Sequence, residues 1–260
     1  MNPEHPVLDT QQLDIDLSST SEPMAIFRDT LRQGKQTLQE RFEANEDIET
    51  IVRDYAQMID EILQRAWRYT FGDSCHQAAL IAVGGYGRQE LHPGSDIDLL
   101  LLFDQDSLES SSNTIETFLT MLWDIGMEVG QSVRTIDDCV NESIQDVTVI
   151  TNLVESRFLD GSLDLFEQMT EATAVDRIWP SDRFFEAKFK EQKQRHLRFD
   201  DTAYKLEPNI KESPGGLRDI HMIGWVAKRH FGARDLHELV GYNFLTEDEY
   251  HSLIQGQKLL

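Results

Sequence analysis

The spacing of apolar residues along the chain changes character twice, from helical to extended and back to helical. Residues 1–22 show no lasting periodicity and contain Pro3, Pro6 and several acidic residues, so they are predicted to form a flexible arm. Beyond Pro23 the apolar positions recur at helical spacing, which predicts N-terminal helices over residues 23–72. The most regular face in this region consists of Ile48, Ile51, Val52, Tyr55, Met58, Ile59, Ile62, Leu63 and Ala66.

Short apolar runs replace the helical spacing near residue 78. The run at 78–85 (AALIAVGG) ends in glycines, which is typical of a buried strand that meets a tight turn. Residues 96–103 (DIDLLLLF) predict a second strand, residues 115–122 have helical spacing, and residues 127–134 (MEVGQSVR) predict a third strand. This succession of strand, strand, helix and strand predicts a small sheet within a core domain at residues 73–160.

Helical spacing returns from Asp137 onward and predicts no further strand. A helical domain is therefore expected over residues 161–260. Within it, residues 206–216 (LEPNIKESPGG) carry two prolines and two glycines, which predict an ordered loop before a helix that starts near Leu217. The final residues, TEDEYHSLIQGQKLL, have helical character without a stop signal, so we expect this domain to be truncated and the chain to be a fragment.

Charge limits the classes of partner that the protein can bind. The chain has 24 Lys and Arg against 47 Asp and Glu, a formal net charge of −23. Such a surface repels a nucleic-acid backbone, so no nucleic-acid partner is expected. A polyphosphate ligand would have to be neutralised locally by a metal ion, basic side chains or backbone N–H groups.

Cysteine usage and hydropathy indicate the cellular compartment. Cys75 and Cys139 lie far apart and outside any CxxC arrangement, which disfavours a disulfide framework and a zinc site. The first residues contain no basic segment followed by an apolar one, and the sequence contains no long apolar run. We therefore expect a cytoplasmic protein with no membrane partner.

Two acidic residues in the second predicted strand have the spacing of a metal site. Residues two apart in a strand point to the same face, so Asp96 and Asp98 would present their carboxylates together while Ile97 turns inward. Mg²⁺ is commonly held by one or two carboxylates, phosphate oxygens and water. Two such ions about 4 Å apart could activate an attacking oxygen and stabilise departing pyrophosphate.

A glycine turn, defined here as Gly84–Gly87, precedes this carboxylate pair. Its absent side chains would let the backbone approach phosphate groups closely, and this interpretation is favoured over the alternative of a strained turn with positive φ angles. The segment matches neither the Walker A pattern nor GxGxxG. A nucleotide site of a different class is therefore expected.

The spacing from Gly84-Gly85 to Asp96-Ile97-Asp98 resembles the signature of the DNA polymerase β-like nucleotidyltransferase superfamily. Longer stretches are similar, more narrowly, to the family of bifunctional PII uridylyltransferase/uridylyl-removing enzymes, and specifically to their N-terminal nucleotidyltransferase portion. These stretches are residues 82–103, 122–135, 146–161 and 206–233.

The resemblance implies an α+β fold in which a small mixed nucleotidyltransferase sheet is flanked by helices, with N-terminal and C-terminal helical regions. It also implies Mg²⁺-dependent transfer of UMP from UTP to a tyrosine of the PII nitrogen-signalling protein, with release of pyrophosphate. The residues that match the family motif are Asp96 and Asp98 for catalysis and metal binding, and Gly84, Gly85, Arg88 and Ser95 for nucleotide binding.

This sequence departs from the family pattern at two points. Many superfamily members carry a third carboxylate on the next strand, for which Glu128 and Asp146 are the candidates here; as alternatives, Glu128 is an exposed strand residue and Asp146 a helix N-cap. Nothing in the chain matches the family's uridylyl-removing HD domain or its glutamine-sensing ACT domains. Uridylyl removal and glutamine control are therefore not expected of this chain.

Two other functions remain open from the sequence. The unclear third carboxylate is compatible with a noncatalytic nucleotide-binding regulatory module. The motif also fixes the donor chemistry better than the acceptor, so a nucleotidyltransferase with a different acceptor, such as a small molecule, is the other alternative.

Overall fold

The computed structural model describes residues 7–92, 94–199, 209–233 and 236–259. These form an α+β fold, as expected, and fall into two compact units, residues 1–139 with 155–171 and residues 140–154 with 172–260. The strands are β1 (Ala78–Ala82), β2 (Ile97–Phe103), β3 (Val129–Thr135) and β4 (Arg157–Gly161). The helices are α1 (Thr10–Ser19), α2 (Pro23–Glu43), α3 (Ile48–Phe71), α4 (Gly84–Gly87), α5 (Gln105–Ser110), α6 (Ser112–Asp124), α7 (Ile136–Gln145), α8 (Val147–Val154), α9 (Leu163–Ala172), α10 (Ser181–Arg198), α11 (Leu217–Phe231), α12 (Glu238–Gly241) and α13 (Glu247–Leu259), with a 3₁₀ helix at Gly72–Gln77.

The first unit contains a mixed four-stranded sheet in the order β3-β2-β1-β4. β2 and β3 are parallel, whereas β1 is antiparallel to both β2 and β4. The three strands predicted from the sequence are confirmed. β4 was not predicted, because this five-residue strand at the sheet edge mixes the polar residues Arg157 and Asp160 with apolar ones and shows neither an apolar run nor a clean alternation.

The core of the first unit lies between the sheet and helices α2, α3 and α6. Every residue of β1 is buried, which explains its continuous apolar run. The regular face of α3 is buried as its periodicity predicts, except that Tyr55 is partly buried and Ile48 at the start of the helix is exposed. Trp67 stacks on Phe71 with ring centroids 3.8 Å apart and meets Phe118 edge-on at 5.3 Å. α3 starts at the cap Asp47, which accepts a hydrogen bond from the Thr50 N–H, and ends at Gly72 with φ +53°.

The expectation of a flexible arm is wrong for residues 10–19, which form α1. Asp9 caps this helix by accepting a 2.9 Å hydrogen bond from the Gln12 N–H. Leu13 is buried, and Asp14 forms an ion pair with Arg65 of α3 at 2.6 Å. α1 buries Leu13, packs the partly buried Leu17 against the core and forms polar contacts, so its sequence shows no regular apolar stripe. Residues 1–6 of the predicted arm lie outside the described residues.

The second unit is helical, and α11 begins at Leu217 as expected after the loop, of which residues 206–208 lie outside the described part. Asp219 in the first turn of α11 joins that loop to α10. Its carboxylate accepts hydrogen bonds from the Gln192 amide and the Gly215 N–H, each at 2.8 Å, and pairs with Arg195 and with His196. Within the described ranges, no helix is both long and apolar enough to cross a membrane.

Replacing Asp219 with Asn should destabilise the second unit, because it leaves the buried guanidinium of Arg195 without its counter-charge. Burial acts to raise the pKa of Asp219, but hydrogen bonds from Gln192, Gly215 and His196 and the charge of Arg195 outweigh it, so the pKa is lowered. The stabilisation is therefore complete above the ordinary carboxyl pKa of about 3.9 and is lost as the pH falls through the lowered value.

We expect Asp219→Asn to lower the free energy of unfolding by ~3 kcal/mol at pH 7, measured by urea denaturation, and the deficit to shrink below about pH 4. Glu186→Gln on the exposed side of α10 is the matched control and should have little effect. Equal stability of both variants at pH 7 would contradict the structural role of Asp219.

Candidate active site

The carboxylate of Asp98 lies between the backbones of two glycines. Asp98 is the second residue of β2, and its main-chain carbonyl accepts a 3.1 Å hydrogen bond from the Val83 N–H at the start of the glycine turn. A Cβ atom added at Gly84 would lie 3.0 Å from Asp98 Oδ2, and one added at Gly130 would lie 2.6 Å from Asp98 Oδ1. Any side chain at residue 130 would therefore displace the carboxylate.

Asp96 precedes β2 by one residue and is exposed, whereas Asp98 is half-buried. Ile97 between them is 3% exposed and packs into the core, as the strand alternation predicts. The Ile97 N–H donates to the carbonyl of Glu128, which holds this part of the chain against the start of β3. Alternation extended by one residue to Asp96 predicts both carboxylates on the face opposite Ile97.

The glycine turn forms the short helix α4 directly after β1. Gly84 adopts φ +59°, a conformation that L-residues with side chains rarely adopt, so the positive-φ interpretation of this glycine is correct. The N–H groups at the start of a helix have no acceptors within it, and those of Gly84 and Gly85 are therefore suited to an anion. Contact of these two glycines with a phosphate stays a prediction.

Arg88 ends the glycine turn and is held by two carboxylates. Its Nε donates to Glu90 at 2.7 Å, and its Nη1 donates to the buried Glu155. Burial acts to lower the pKa of Arg88, but the charges of Glu155 and Glu90 outweigh it and raise the pKa, so the guanidinium remains charged. These ion pairs give Arg88 a structural role, and its contact with a nucleotide stays a prediction.

Ser95 lies in the loop before β2, is exposed and donates its N–H to the carbonyl of His92 at 3.0 Å. This bond shapes the turn that leads into the carboxylate pair. The proposed nucleotide contact of Ser95 stays a prediction.

Glu128 lies in the first unit beside the carboxylate pair. The parallel register aligns Ile97 with Val129 and Asp98 with Gly130, so the next residues towards the N-terminus, Asp96 and Glu128, are neighbours. Because paired strand residues share a face, this register favours the same face for Glu128 as for Asp98. The Glu128 side chain is exposed and could turn towards a bound ion.

Asp146, the other candidate third acid, lies in the second unit and caps α8. Its carboxylate accepts a 2.7 Å hydrogen bond from the Thr148 N–H and another from the Thr148 hydroxyl. These bonds from Thr148, the hydroxyl first and the N–H second, lower the pKa of Asp146. The N-cap interpretation of Asp146 therefore describes its observed contacts.

The described residues contain no preformed cluster of three or more carboxylate, imidazole or thiol side chains suited to a metal ion. Asp96 and Asp98 nevertheless fit Mg²⁺, which needs only one or two protein carboxylates when a triphosphate supplies further oxygens. Gly84 and Gly130 place no Cβ atom beside the Asp98 carboxylate, where an added one would lie 3.0 or 2.6 Å from its oxygens. Metal binding by Asp96, Asp98 and a third acid stays a prediction.

Sequence reasoning missed two features of this site. Gly130, the second residue of β3, could have been found, because a glycine inside a strand indicates a close approach of backbone and other groups. The second feature is a buried cluster behind the glycine turn, formed by Asp60 of α3, Tyr86 of the turn and Arg157 of β4. The sequence signal for this cluster is Asp60, a charged residue on the buried face of α3.

Two family models match parts of the chain. Residues 32–132, which include the glycine turn and the carboxylate pair, match a family described as "Putative nucleotidyltransferase DUF294". Residues 183–260 match the family described as GlnD PII-uridylyltransferase. The two family models therefore match different, non-overlapping parts of the chain.

Curated relatives match the chain along its whole length. It is 48% identical over 260 residues to a bifunctional uridylyltransferase/uridylyl-removing enzyme of Ectopseudomonas mendocina, covering 100% of this chain and 29% of the relative. Enzymes of the same description from Pseudomonas aeruginosa and Stutzerimonas stutzeri are 48% and 46% identical, with 98% of this chain and 28% of each relative covered. The matches confirm the resemblance to this family drawn from the motifs, and the chain spans less than a third of the relatives' length.

The position of Gly130 leads to a test of the site that leaves both carboxylates in place. Gly130→Ala should push Asp98 out of position and weaken Mg²⁺-dependent binding of a nucleoside triphosphate at least ~10-fold, measured by calorimetry. Gly256→Ala on α13, where an added Cβ meets nothing within 4 Å, is the control and should bind as the unchanged chain does. Unchanged affinity in Gly130→Ala would show that the placement of Asp98 does not govern binding.

Proposed function

We propose that this chain transfers UMP from UTP to a tyrosine of a PII-type nitrogen-signalling protein, with release of pyrophosphate. The observation that carries the proposal is the Asp98 carboxylate held between Gly84 of the glycine turn and Gly130 of β3. The names of the relatives and of the family model at residues 183–260 support uridylyl transfer and a PII acceptor. We also place the protein in the cytoplasm, with no nucleic-acid or membrane partner.

Asp96 and Asp98 would hold Mg²⁺ together with oxygens of the triphosphate. When bound, this ion neutralises phosphate charge and lowers the pKa of an oxygen bound to it. That contribution matters in this protein because its net charge of −23 opposes the approach of a triphosphate. The first N–H groups of the glycine turn, at Gly84 and Gly85, would donate to phosphate oxygens.

In the proposed reaction the acceptor tyrosine oxygen forms a bond to the α-phosphorus of UTP. The bond from that phosphorus to the bridging oxygen breaks, and the electron pair leaves with pyrophosphate. A tyrosine hydroxyl with a pKa near 10 is a weak nucleophile at neutral pH, so its proton must be taken up as the bond forms. We assign this task to a carboxylate of the site, for which the exposed Asp96 is the candidate.

One observation favours a second function, a noncatalytic nucleotide-binding module. Three acidic side chains do not converge in the described part of the chain, whereas catalysis with two metal ions commonly uses such a set. A nucleotidyltransferase with another acceptor is the remaining alternative. The carboxylate pair and the glycine turn are assigned to the donor nucleotide, and they do not identify the acceptor.

Asp96→Asn and Asp98→Asn should each reduce UMP transfer at least ~100-fold, because each removes a carboxylate charge from the site. Transfer is measured with α-labelled UTP, Mg²⁺ and a PII protein, and pyrophosphate release is followed in parallel. Glu116→Gln on the exposed face of α6 is the control and should keep full activity.

The same assay separates the proposed function from its alternatives. Full activity in both Asn variants would show that the site assignment is wrong. UTP binding by the unchanged chain without pyrophosphate release would support the noncatalytic module. Labelling of a small molecule in place of PII would support a different acceptor.

The third acid can be assigned by a comparison of Glu128→Gln with Asp146→Asn. We expect Glu128→Gln to lower kcat at least ~10-fold at saturating UTP, because Glu128 neighbours Asp96 in the sheet register. Asp146→Asn should instead lower thermal stability by loss of the α8 cap and leave kcat within about twofold. The reverse pattern would identify Asp146 as the third acid.

A further inference from the structure

A buried network lies directly behind the glycine turn. The Tyr86 hydroxyl donates a 2.5 Å hydrogen bond to Asp60 Oδ1, and Arg157 forms a two-pronged ion pair with the same carboxylate at 2.6 and 2.9 Å. Arg157 also lies over the Tyr86 ring, 5.4 Å from its centroid. Three elements, α3, the glycine turn and β4, thus meet at one carboxylate.

Arg157 holds the backbone of the turn as well as its tyrosine. Its guanidinium donates to the carbonyls of Tyr86 and Gly87 at 3.3 and 3.4 Å. A Cβ atom at Gly87 would lie only 2.1 Å from the Glu155 carbonyl, so the turn is packed against the chain segment that leads into β4. The rear of the turn is therefore fixed by both hydrogen bonds and steric contact.

The opposite side of the turn meets the proposed metal ligand. Gly84 begins the turn and lies against the Asp98 carboxylate, while Tyr86 two residues later is 1% exposed and anchored to Asp60. A shift of the rear anchor would therefore move the N–H groups of Gly84 and Gly85 relative to Asp98.

We propose that Asp60, Tyr86 and Arg157 are positioning residues that hold the glycine turn in the geometry needed to bind the triphosphate of UTP. This inference rests on the proposed function, and it identifies the residues that fix the geometry of the nucleotide site before UTP binds. The three residues act through the turn and touch no reacting atom. Their loss should therefore weaken binding of UTP more than it slows the chemical step.

Removal of one member of this network should cost enough free energy to shift the glycine turn. Burial first, and the charge of Asp60 second, raise the pKa of Tyr86 well above its ordinary value, so the phenol keeps its proton and donates it to Asp60. The side chain of Asp60 is 13% exposed and that of Arg157 25%, and a buried charge that loses its partner is strongly unfavourable. The turn would be expected to shift to restore a partner.

The test compares Tyr86→Phe, Arg157→Lys and Arg157→Gln in the full chain. For Tyr86→Phe and Arg157→Gln we expect the Kd for UTP with Mg²⁺, measured by calorimetry, to rise at least ~5-fold. Arg157→Lys keeps the positive charge and should recover part of that loss. In steady-state assays the KM for UTP should rise, while kcat at saturating UTP stays within about twofold.

A second buried ion pair in the same unit supplies the matched control. Arg41 of α2 pairs with Asp54 of α3 at 2.7 Å, and their side chains are 12% and 8% exposed. Arg41→Gln should lower the melting temperature, as Arg157→Gln does, but leave the Kd for UTP unchanged. All measurements are made at a temperature well below the melting point of every variant.

Each result decides between named explanations. If the unchanged chain binds UTP and the Tyr86 and Arg157 variants bind it equally well, the positioning role is wrong while the proposed function stands. If Arg41→Gln weakens UTP binding as much as Arg157→Gln, the effect is general destabilisation and the positioning role is again wrong. If the unchanged chain itself does not bind UTP, the proposed function fails and this inference fails with it.

Discussion

The geometry of the candidate site depends on one steric constraint, the close approach of the Asp98 carboxylate to the backbones of Gly84 and Gly130. An acidic side chain in a sheet normally lies among other side chains, which restrict access to its oxygens. Neither glycine has a side chain, so neither position places a Cβ atom against the Asp98 oxygens. The parallel pairing of β2 with β3 is what brings Gly130 to this point, because it aligns the glycine with Asp98.

Buried ion pairs lie behind the glycine turn, on the side away from Asp98. The chain carries a net charge of −23, yet Arg88 and Arg157 place positive charges beside the glycine turn, each matched by buried or half-buried carboxylates. Such pairs contribute little net stability when compared with apolar packing, but they are specific in direction and distance. In this fold they fix the orientation of a four-residue helix, α4, that is too short to be held by its own hydrogen bonds.

Much of the first unit could be predicted from local pattern. The apolar runs of β1 and β2, the periodicity of α3 and the pair Asp96 and Asp98 are signals within a few consecutive residues, and the structure has the corresponding elements. The features that could not be predicted depend on contacts across the fold. β4 is recognisable only by its pairing with β1. Asp14 of α1 forms an ion pair with Arg65, which lies 51 positions away in the sequence. Asp60 is bound by Tyr86 and Arg157, which come from two distant segments.

The two candidate third acids have different surroundings in the structure. The sequence offers Asp146 both as a ligand and as a helix N-cap, and a pattern in one sequence cannot separate these two roles. The structure shows the bonds that make Asp146 a helix cap, whereas the register of β2 and β3 makes Glu128 the neighbour of Asp96. Register is a property of paired strands and not of either strand alone. Gly130 is a local signal that agrees with this register, because a glycine inside a strand indicates the close approach of another group, here the Asp98 carboxylate.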